Sequence, residues 1–126
     1  MAITTLQPLN ILGTPLQCCC TNPLTGFYRD GFCRTDIHDA GRHVICAKIT
    51  DAFLQFTLSM GNDLITPNPN YNFVGVKVND KWCLCALRWI EAYNAGVAPP
   101  IYAECTSIKA LEYTTIEVLI GHAIKI

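Results

Sequence analysis

The sequence has no long apolar run and no excess of basic residues. No uninterrupted apolar stretch approaches the roughly 20 residues that a membrane-spanning helix needs. Nine lysines and arginines stand against ten aspartates and glutamates, so the net charge is −1. A protein that binds nucleic acid carries a basic patch or stripe, and so does one that binds anionic lipid. We therefore expect neither nucleic acid nor a membrane as a partner.

The N-terminus lacks the features of an export signal. Residues 1–12 contain no lysine or arginine, so no basic region precedes an apolar one. This absence predicts a cytoplasmic protein. The chain has 126 residues and is 51% hydrophobic. That is enough for a single domain, 1–126, with a core of its own.

Cysteine, in contrast, is abundant, with eight in the chain. Small secreted proteins use many cysteines as disulfides, whereas cytoplasmic proteins keep them as thiols for metal binding, for chemistry or for packing. Cys18, Cys19 and Cys20 are consecutive, and one residue separates Cys83 from Cys85. The strong zinc pattern, two C-x2-C pairs, is absent. Spacing alone therefore leaves disulfides, metal ligands and packing residues open.

The pattern of apolar residues predicts a compact α+β fold. Prolines and glycine make residues 1–25 an irregular N-terminal segment. Apolar residues at three- and four-residue spacing predict two main helices, at about 51–60 and 81–95. A short C-terminal helix is expected to begin after Thr115 and to run to about Ala123.

Capping residues set the expected ends of the two main helices. Thr50 is the predicted N-cap of the first helix, and Gly61 follows its last turn. Asp80 is the predicted N-cap of the second helix, and Gly96 ends it.

Several short strands complete the predicted fold. Asp30-Gly31 is a favoured two-residue turn and predicts a β-hairpin over residues 26–35. Strands are also predicted at 43–49 and 101–105. In the predicted hairpin, Tyr28 lies opposite Cys33 and both point inward.

Cys83 is the candidate catalytic thiol. It falls in the first turn of the second predicted helix, where free N–H groups and the helix dipole favour a thiolate. The negative charge of Asp80 and burial act against this, and the alternative is a packing role. Cys85 would join the apolar stripe of Trp82 and Trp89 and is expected in the core.

Metal binding is the favoured function, with zinc as the metal. Four thiolates in a tetrahedron about 2.3 Å from the ion would be needed. The candidate ligands are Cys19, Cys20, Cys33 and Cys83, with Cys46 and His43 in reserve. One alternative is a thiol-dependent enzyme or redox protein, in which Cys83 attacks and a neighbouring cysteine resolves it. Another is a ligand- or partner-binding domain in which the cysteines only pack.

A long Asn- and Pro-containing loop, residues 62–75, suggests a binding surface, because unstructured stretches of this length are commonly functional. The candidate ligand-binding residues are Arg29, Arg88, Asn62 and Asp63. Either arginine could bind an anion. The alternative is structural, with Arg88 paired to Glu91 or Glu104.

Several motifs together resemble a known family. They are Cys19-Cys20 with Pro23, Thr25-Gly-Phe-Tyr-Arg-Asp-Gly31, Gly61-Asn-Asp-Leu64 with Thr66-Pro67, and Trp82-Cys-Leu-Cys-Ala86 with Arg88-Trp89. They resemble a small uncharacterised bacterial and algal family, classed as a domain of unknown function, over residues 10–123. The resemblance implies one cytoplasmic domain and no particular reaction. It leaves Cys18 and Cys105 outside the family pattern, and Thr106-Ser107 replaces the family's Thr-His.

Overall fold

The computed structural model describes residues 8–124, which form a two-stranded antiparallel sheet, three α-helices and three short 3-10 turns. The strands are β1 (His43–Lys48) and β2 (Lys81–Cys85), and the helices are α1 (Asp51–Ser59), α2 (Ala86–Asn94) and α3 (Ile116–Gly121). The predicted α+β class is confirmed. Residues 1–7 of the predicted N-terminal segment and residues 125–126 lie outside the described residues. Within 8–124, no helix is both long and apolar enough to cross a membrane.

Helix α1 forms where local signals place it. The Thr50 hydroxyl accepts a hydrogen bond from the Phe53 N–H at 3.2 Å, which satisfies a donor of the first turn. Gly61 follows the helix with a φ of 90°, a left-handed conformation that glycine adopts without a steric penalty. Thr115 caps α3 in the same way, since its hydroxyl accepts from the Val118 N–H at 3.3 Å.

The prediction of a helix over 81–95 is wrong in its first five residues. Residues 81–85 form strand β2, and helix α2 begins only at Ala86. Pairing with β1 determines this outcome, because tertiary contacts override local helix propensity. Asp80 is therefore not a helix cap; its carboxylate accepts from the Lys77 N–H at 2.9 Å in the turn before β2.

The segment 26–35 is an irregular loop rather than the predicted hairpin. The type I′ turn would need a positive φ at both Asp30 and Gly31. Instead the positive values fall at Gly26, Arg29 and Gly31, so the chain turns twice. The Gly31 N–H donates to the Thr25 carbonyl at 2.9 Å, which closes the loop.

The C-terminal part wraps around the outer edge of β1. Within 101–105, where a strand was predicted, only Ile101 makes bridges, to Ala47 and to Ala123, and a 3-10 turn follows at Ala103–Cys105. The main core lies between the sheet and helices α1 and α2. Trp89, the largest of the fully buried side chains described, belongs to this core, and its indole N–H donates to the Pro99 carbonyl at 3.1 Å.

Asn10 fastens the N-terminal segment to this C-terminal part. The residue is fully buried. Its amide nitrogen donates to the Thr14 hydroxyl at 2.8 Å and to the Glu104 carbonyl at 3.1 Å. Its amide oxygen accepts from the Leu12 and Thr14 N–H groups at 2.9 and 3.1 Å. The Asn10 side chain therefore adds to the backbone hydrogen bonds, such as that from the Ile11 N–H to the Thr106 carbonyl at 3.0 Å, that hold this segment in place.

We predict that Asn10→Ala lowers the free energy of unfolding by about 1–3 kcal/mol, because buried backbone groups lose their partners. Urea denaturation measures the change. Asn70→Ala, at an exposed position, is the matched control and should change stability by no more than about 0.5 kcal/mol. Equal stability of the two variants would contradict this role for Asn10.

Candidate functional site

Four buried cysteines meet on one face of the sheet. Cys46 of β1 and Cys83 of β2 are cross-strand partners, while Cys19 and Cys33 reach them from the part of the chain that precedes β1. The structure joins them as two disulfides, Cys19–Cys46 and Cys33–Cys83, with Cα separations of 5.8 and 5.2 Å. We call these residues the four-cysteine cluster.

Two threonine hydroxyls explain why Cys46 and Cys83 lie so close. The Cys46 N–H donates to the Thr106 hydroxyl at 3.2 Å, and the Cys83 N–H donates to the Thr25 hydroxyl at 2.9 Å. Both N–H groups therefore point away from the partner strand, which defines a non-hydrogen-bonded pair. In such a pair the Cα atoms are only about 4.5 Å apart and the side chains approach each other.

The sulfur atoms of the cluster are close enough to act together. Those of Cys19, Cys33 and Cys46 all lie within 4.8 Å of one another, and Cys83 is bonded to Cys33. None of the four residues is more than 3% exposed. Chemically, this set can form two disulfides or, when reduced, offer four thiolates to one metal ion.

Three of the four cysteines predicted as metal ligands come together in the structure. Cys19, Cys33 and Cys83 meet, but Cys46, expected only in reserve, is the fourth member. Cys20 is half-buried, its thiol is free, and it lies outside the cluster. The alternation of an extended chain accounts for this, because consecutive side chains point to opposite sides and only the middle cysteine of 18–20 faces the sheet.

The remaining described cysteines, Cys18, Cys20, Cys85 and Cys105, are free thiols. Cys105 packs at the edge of the cluster, and its Sγ donates to the Cys18 carbonyl at 3.2 Å. Burial, and then the negative charge of Glu104, raise the pKa of the Cys105 thiol. Cys105 is therefore a poor nucleophile near neutral pH.

A cavity of about 400 Å3 opens beside the cluster, with Cys83 in its wall. Three of the predicted ligand-binding residues, Arg29, Asn62 and Asp63, line it. Arg88 does not. Its guanidinium pairs with Glu91 at 3.2 Å and donates to the Met60 carbonyl at 3.1 Å, which ties α2 to the end of α1. The contacts that the structure describes for Arg88 therefore fit the structural alternative, in which Arg88 pairs with Glu91.

The Arg29 guanidinium is bound to backbone groups of the cavity wall and therefore holds the wall in place rather than presenting a free charge to a ligand. Its guanidinium donates to the carbonyls of Gly26, Tyr71 and Asn72 at 2.7, 3.0 and 3.3 Å. It also lies over the Trp82 ring, 5.4 Å from the ring centre. Burial lowers the pKa of the Arg29 guanidinium. The side chain therefore joins the 26–35 loop to the long loop across the cavity.

Asn62 and Asp63 organise the start of the 62–75 loop. The Asn62 amide donates to the buried Thr57 hydroxyl at 3.0 Å. The Asp63 carboxylate accepts from the N–H groups of Ile65 and Thr66 at 2.9 and 3.0 Å. Hydrogen bonds from the Thr66 hydroxyl, and then from these N–H groups, hold the pKa of Asp63 below its usual value.

Sequence reasoning missed a His–Asp pair on the cavity wall. His43 lines the cavity, and its Nδ1 lies 2.7 Å from the carboxylate of the buried Asp39. The cross-strand partner of His43 is Cys85, which was expected in the core and instead lines the same cavity. The D-x-x-x-H spacing was the available signal, but pairing with Cys85 depends on β2, which was predicted as a helix.

The family model for "Uncharacterized protein conserved in bacteria (DUF2237)" matches residues 9–123. The chain therefore belongs to this uncharacterised, cysteine-rich family, and the resemblance is confirmed. No curated protein matches the chain.

We predict that Thr25→Val lowers the free energy of unfolding by about 1–3 kcal/mol, because the variant keeps the side-chain shape but leaves the buried Cys83 N–H without an acceptor. Chemical denaturation under non-reducing conditions measures it. Thr21→Val, at an exposed position, is the control. If Thr25→Val and the control have the same free energy of unfolding, Thr25 does not support the cysteine pair.

Asp63 should make the long loop sensitive to acid. Because its folded pKa lies below the ordinary 3.8, its stabilising effect is complete above that value and is lost as the pH falls through the folded pKa. In Asp63→Asn the free energy of unfolding should therefore decrease less steeply with falling pH below the ordinary pKa. Urea midpoints from about pH 6 to about pH 2 test this, and an unchanged slope would contradict it.

Proposed function

We propose that the four-cysteine cluster is a thiol-based metal centre that holds one zinc ion when its sulfurs are reduced. The proposed ligands are Cys19, Cys33, Cys46 and Cys83. One observation supports this most directly: sulfurs from four separate stretches of chain converge in one buried spot. Free cysteines that only pack have no reason to converge in this way, and each disulfide alone needs only two of the four sulfurs.

Reduction of both disulfides would let the four sulfurs separate to the spacing of a tetrahedral zinc site. Thiolate sulfurs bind zinc at about 2.3 Å, so neighbouring sulfurs in the tetrahedron are a little under 4 Å apart. Three of the four sulfurs already lie within 4.8 Å of one another. Cys19 and Cys33 lie on a segment without regular structure, so they would be the residues that move to admit the ion. Cys46 and Cys83, fixed in the sheet, would stay in place.

The oxidised and metal-bound forms differ by a balanced exchange. Reduction of both disulfides takes up four electrons and four protons. Zinc then binds four thiolates, and the four protons leave to solvent. A reducing cytoplasm, the location that we expect for this chain, would keep the thiol form available.

A second candidate function is thiol–disulfide exchange at Cys33–Cys83. The observation that favours it is that Cys83 lines the cavity, where a small thiol could approach. In this case Cys33 would be the resolving cysteine. Against it stands the burial of Cys83, which is only 1% exposed.

Metal content separates the two functions. Protein reduced with a thiol and incubated with zinc under anaerobic conditions should retain about one zinc ion per chain after desalting, by elemental analysis. Cobalt in place of zinc should give the strong thiolate-to-metal absorption of a four-sulfur site. Cys46→Ser should lose both signals.

Cys20→Ser is the matched control, because Cys20 is a free thiol outside the cluster. It should bind zinc as the unmodified chain does. Folded, fully reduced protein that retains no metal would overturn the zinc proposal and favour exchange at Cys33–Cys83. Loss of zinc from Cys20→Ser but not from Cys46→Ser would overturn the ligand set.

A further inference from the structure

A second arrangement of reactive side chains lies in the cavity, outside the four-cysteine cluster. Cys85 is a free thiol at the end of β2, and His43 is its cross-strand partner at the start of β1. Both residues line the cavity. The fold therefore brings a thiol and an imidazole into one concave, partly open site.

An irregularity in the sheet produces this pairing. The register of β1 and β2 shifts between His43 and Ile45, so that Cys85 faces His43, whereas an unbroken ladder would pair it with Val44. Val44 is apolar and fully buried. Bulges of this kind re-aim side chains, and they are common beside active sites. The shift replaces an inert neighbour of the thiol with a proton acceptor.

Asp39 orients the imidazole. Its side chain is fully buried, and one carboxylate oxygen accepts from Nδ1 of His43 at 2.7 Å. The other oxygen accepts from the His43 N–H at 2.9 Å and from the Thr35 hydroxyl at 3.0 Å. With its proton on Nδ1, the neutral ring carries its lone pair on Nε2. Phe27 stacks on the ring, with centroids 6.0 Å apart, and fixes its plane.

One part of the cavity wall is apolar and suits an apolar acyl group, while the 62–68 part of the long loop supplies polar residues. Phe73 and Trp82 meet edge to face 5.5 Å apart, and Leu84 lines the same cavity. Arg29 is occupied by three backbone carbonyls, so it is not the partner of a substrate anion. Cys85 is also the residue that precedes the first turn of α2. The positive end of that helix favours negative charge that develops there.

We propose that Cys85, His43 and Asp39 form a nucleophile, base and orienting group for acyl transfer from small esters or thioesters with an apolar acyl group. Nε2 of His43 takes the thiol proton as the Cys85 sulfur bonds to the carbonyl carbon. The bond to the leaving alcohol or thiol breaks, and the leaving group takes the proton from the imidazolium. Water then adds to the thioester as His43 accepts its proton, the C–S bond breaks, and the sulfur regains the proton.

The test uses 4-nitrophenyl butyrate with the folded chain at neutral pH. Release of 4-nitrophenol, with one butyryl group mapped by mass spectrometry to the peptide of Cys85, is the expected result. Cys85→Ala should abolish that acylation. Cys20→Ser, which changes a free thiol outside the cavity, should leave it unchanged. Acylation spread over the exposed cysteines, or confined to Cys18, would overturn the proposal.

Variants of the base distinguish proton transfer from packing. His43→Ala should slow acylation of Cys85 by about 10²-fold or more, the contribution typical of a general base. Gly41→Ala tests position alone, because a methyl group there would lie 2.7 Å from Cε1 of His43 and displace the ring. It should slow acylation while circular dichroism stays unchanged. Folded His43→Ala that acylates at the unmodified rate would refute the role of His43.

Discussion

The fold depends on the attachment of an irregular N-terminal segment to a very small sheet. Residues 8–42 contain no helix or strand, and the sheet has two strands. Two strands alone are marginally stable in water. The disulfides of the four-cysteine cluster close chain separations of 27 and 50 residues. By loop-closure entropy each is worth about 3–4 kcal/mol, a large part of the stability of an ordinary domain.

Local signals in the sequence predicted local structure well. Thr50 and Gly61 bound α1 because a cap hydroxyl and a left-handed glycine act within a few residues of the helix end. Helix α3 was predicted for a similar reason, since the Thr115 hydroxyl caps it. Residues 81–85 were misread because Trp82 and Leu84 alternate as a strand requires, while Trp82, Cys85 and Trp89 also fit a helical spacing. Only the presence of β1 decides between the two patterns, and that contact is not local.

The sequence predicted that several cysteines would come together, but not the full set of residues at either site. Convergence of Cys19, Cys33 and Cys83 was expected, but the choice of Cys46 over Cys20 depends on which cysteine of an extended run faces the sheet. His43 and Asp39 are four residues apart and visible as a pair in the sequence. Their position beside Cys85 follows from the register shift in the sheet, for which no residue type is a reliable marker. Strand β2 links the two sites, since Cys83 belongs to the cluster and Cys85 to the cavity.

The threonine hydroxyls that accept from Cys46 and Cys83 have a consequence for association between molecules. An exposed strand presents unpaired N–H and carbonyl groups, which can recruit a strand from another chain and begin aggregation. Here Thr106, Tyr102 and Pro100 cover the free side of β1 with hydrogen bonds, and Thr25 covers the N–H of Cys83 on β2. The irregular segments that flank the sheet therefore occupy these backbone groups. A strand from another molecule cannot pair with the sheet at these positions without displacing them.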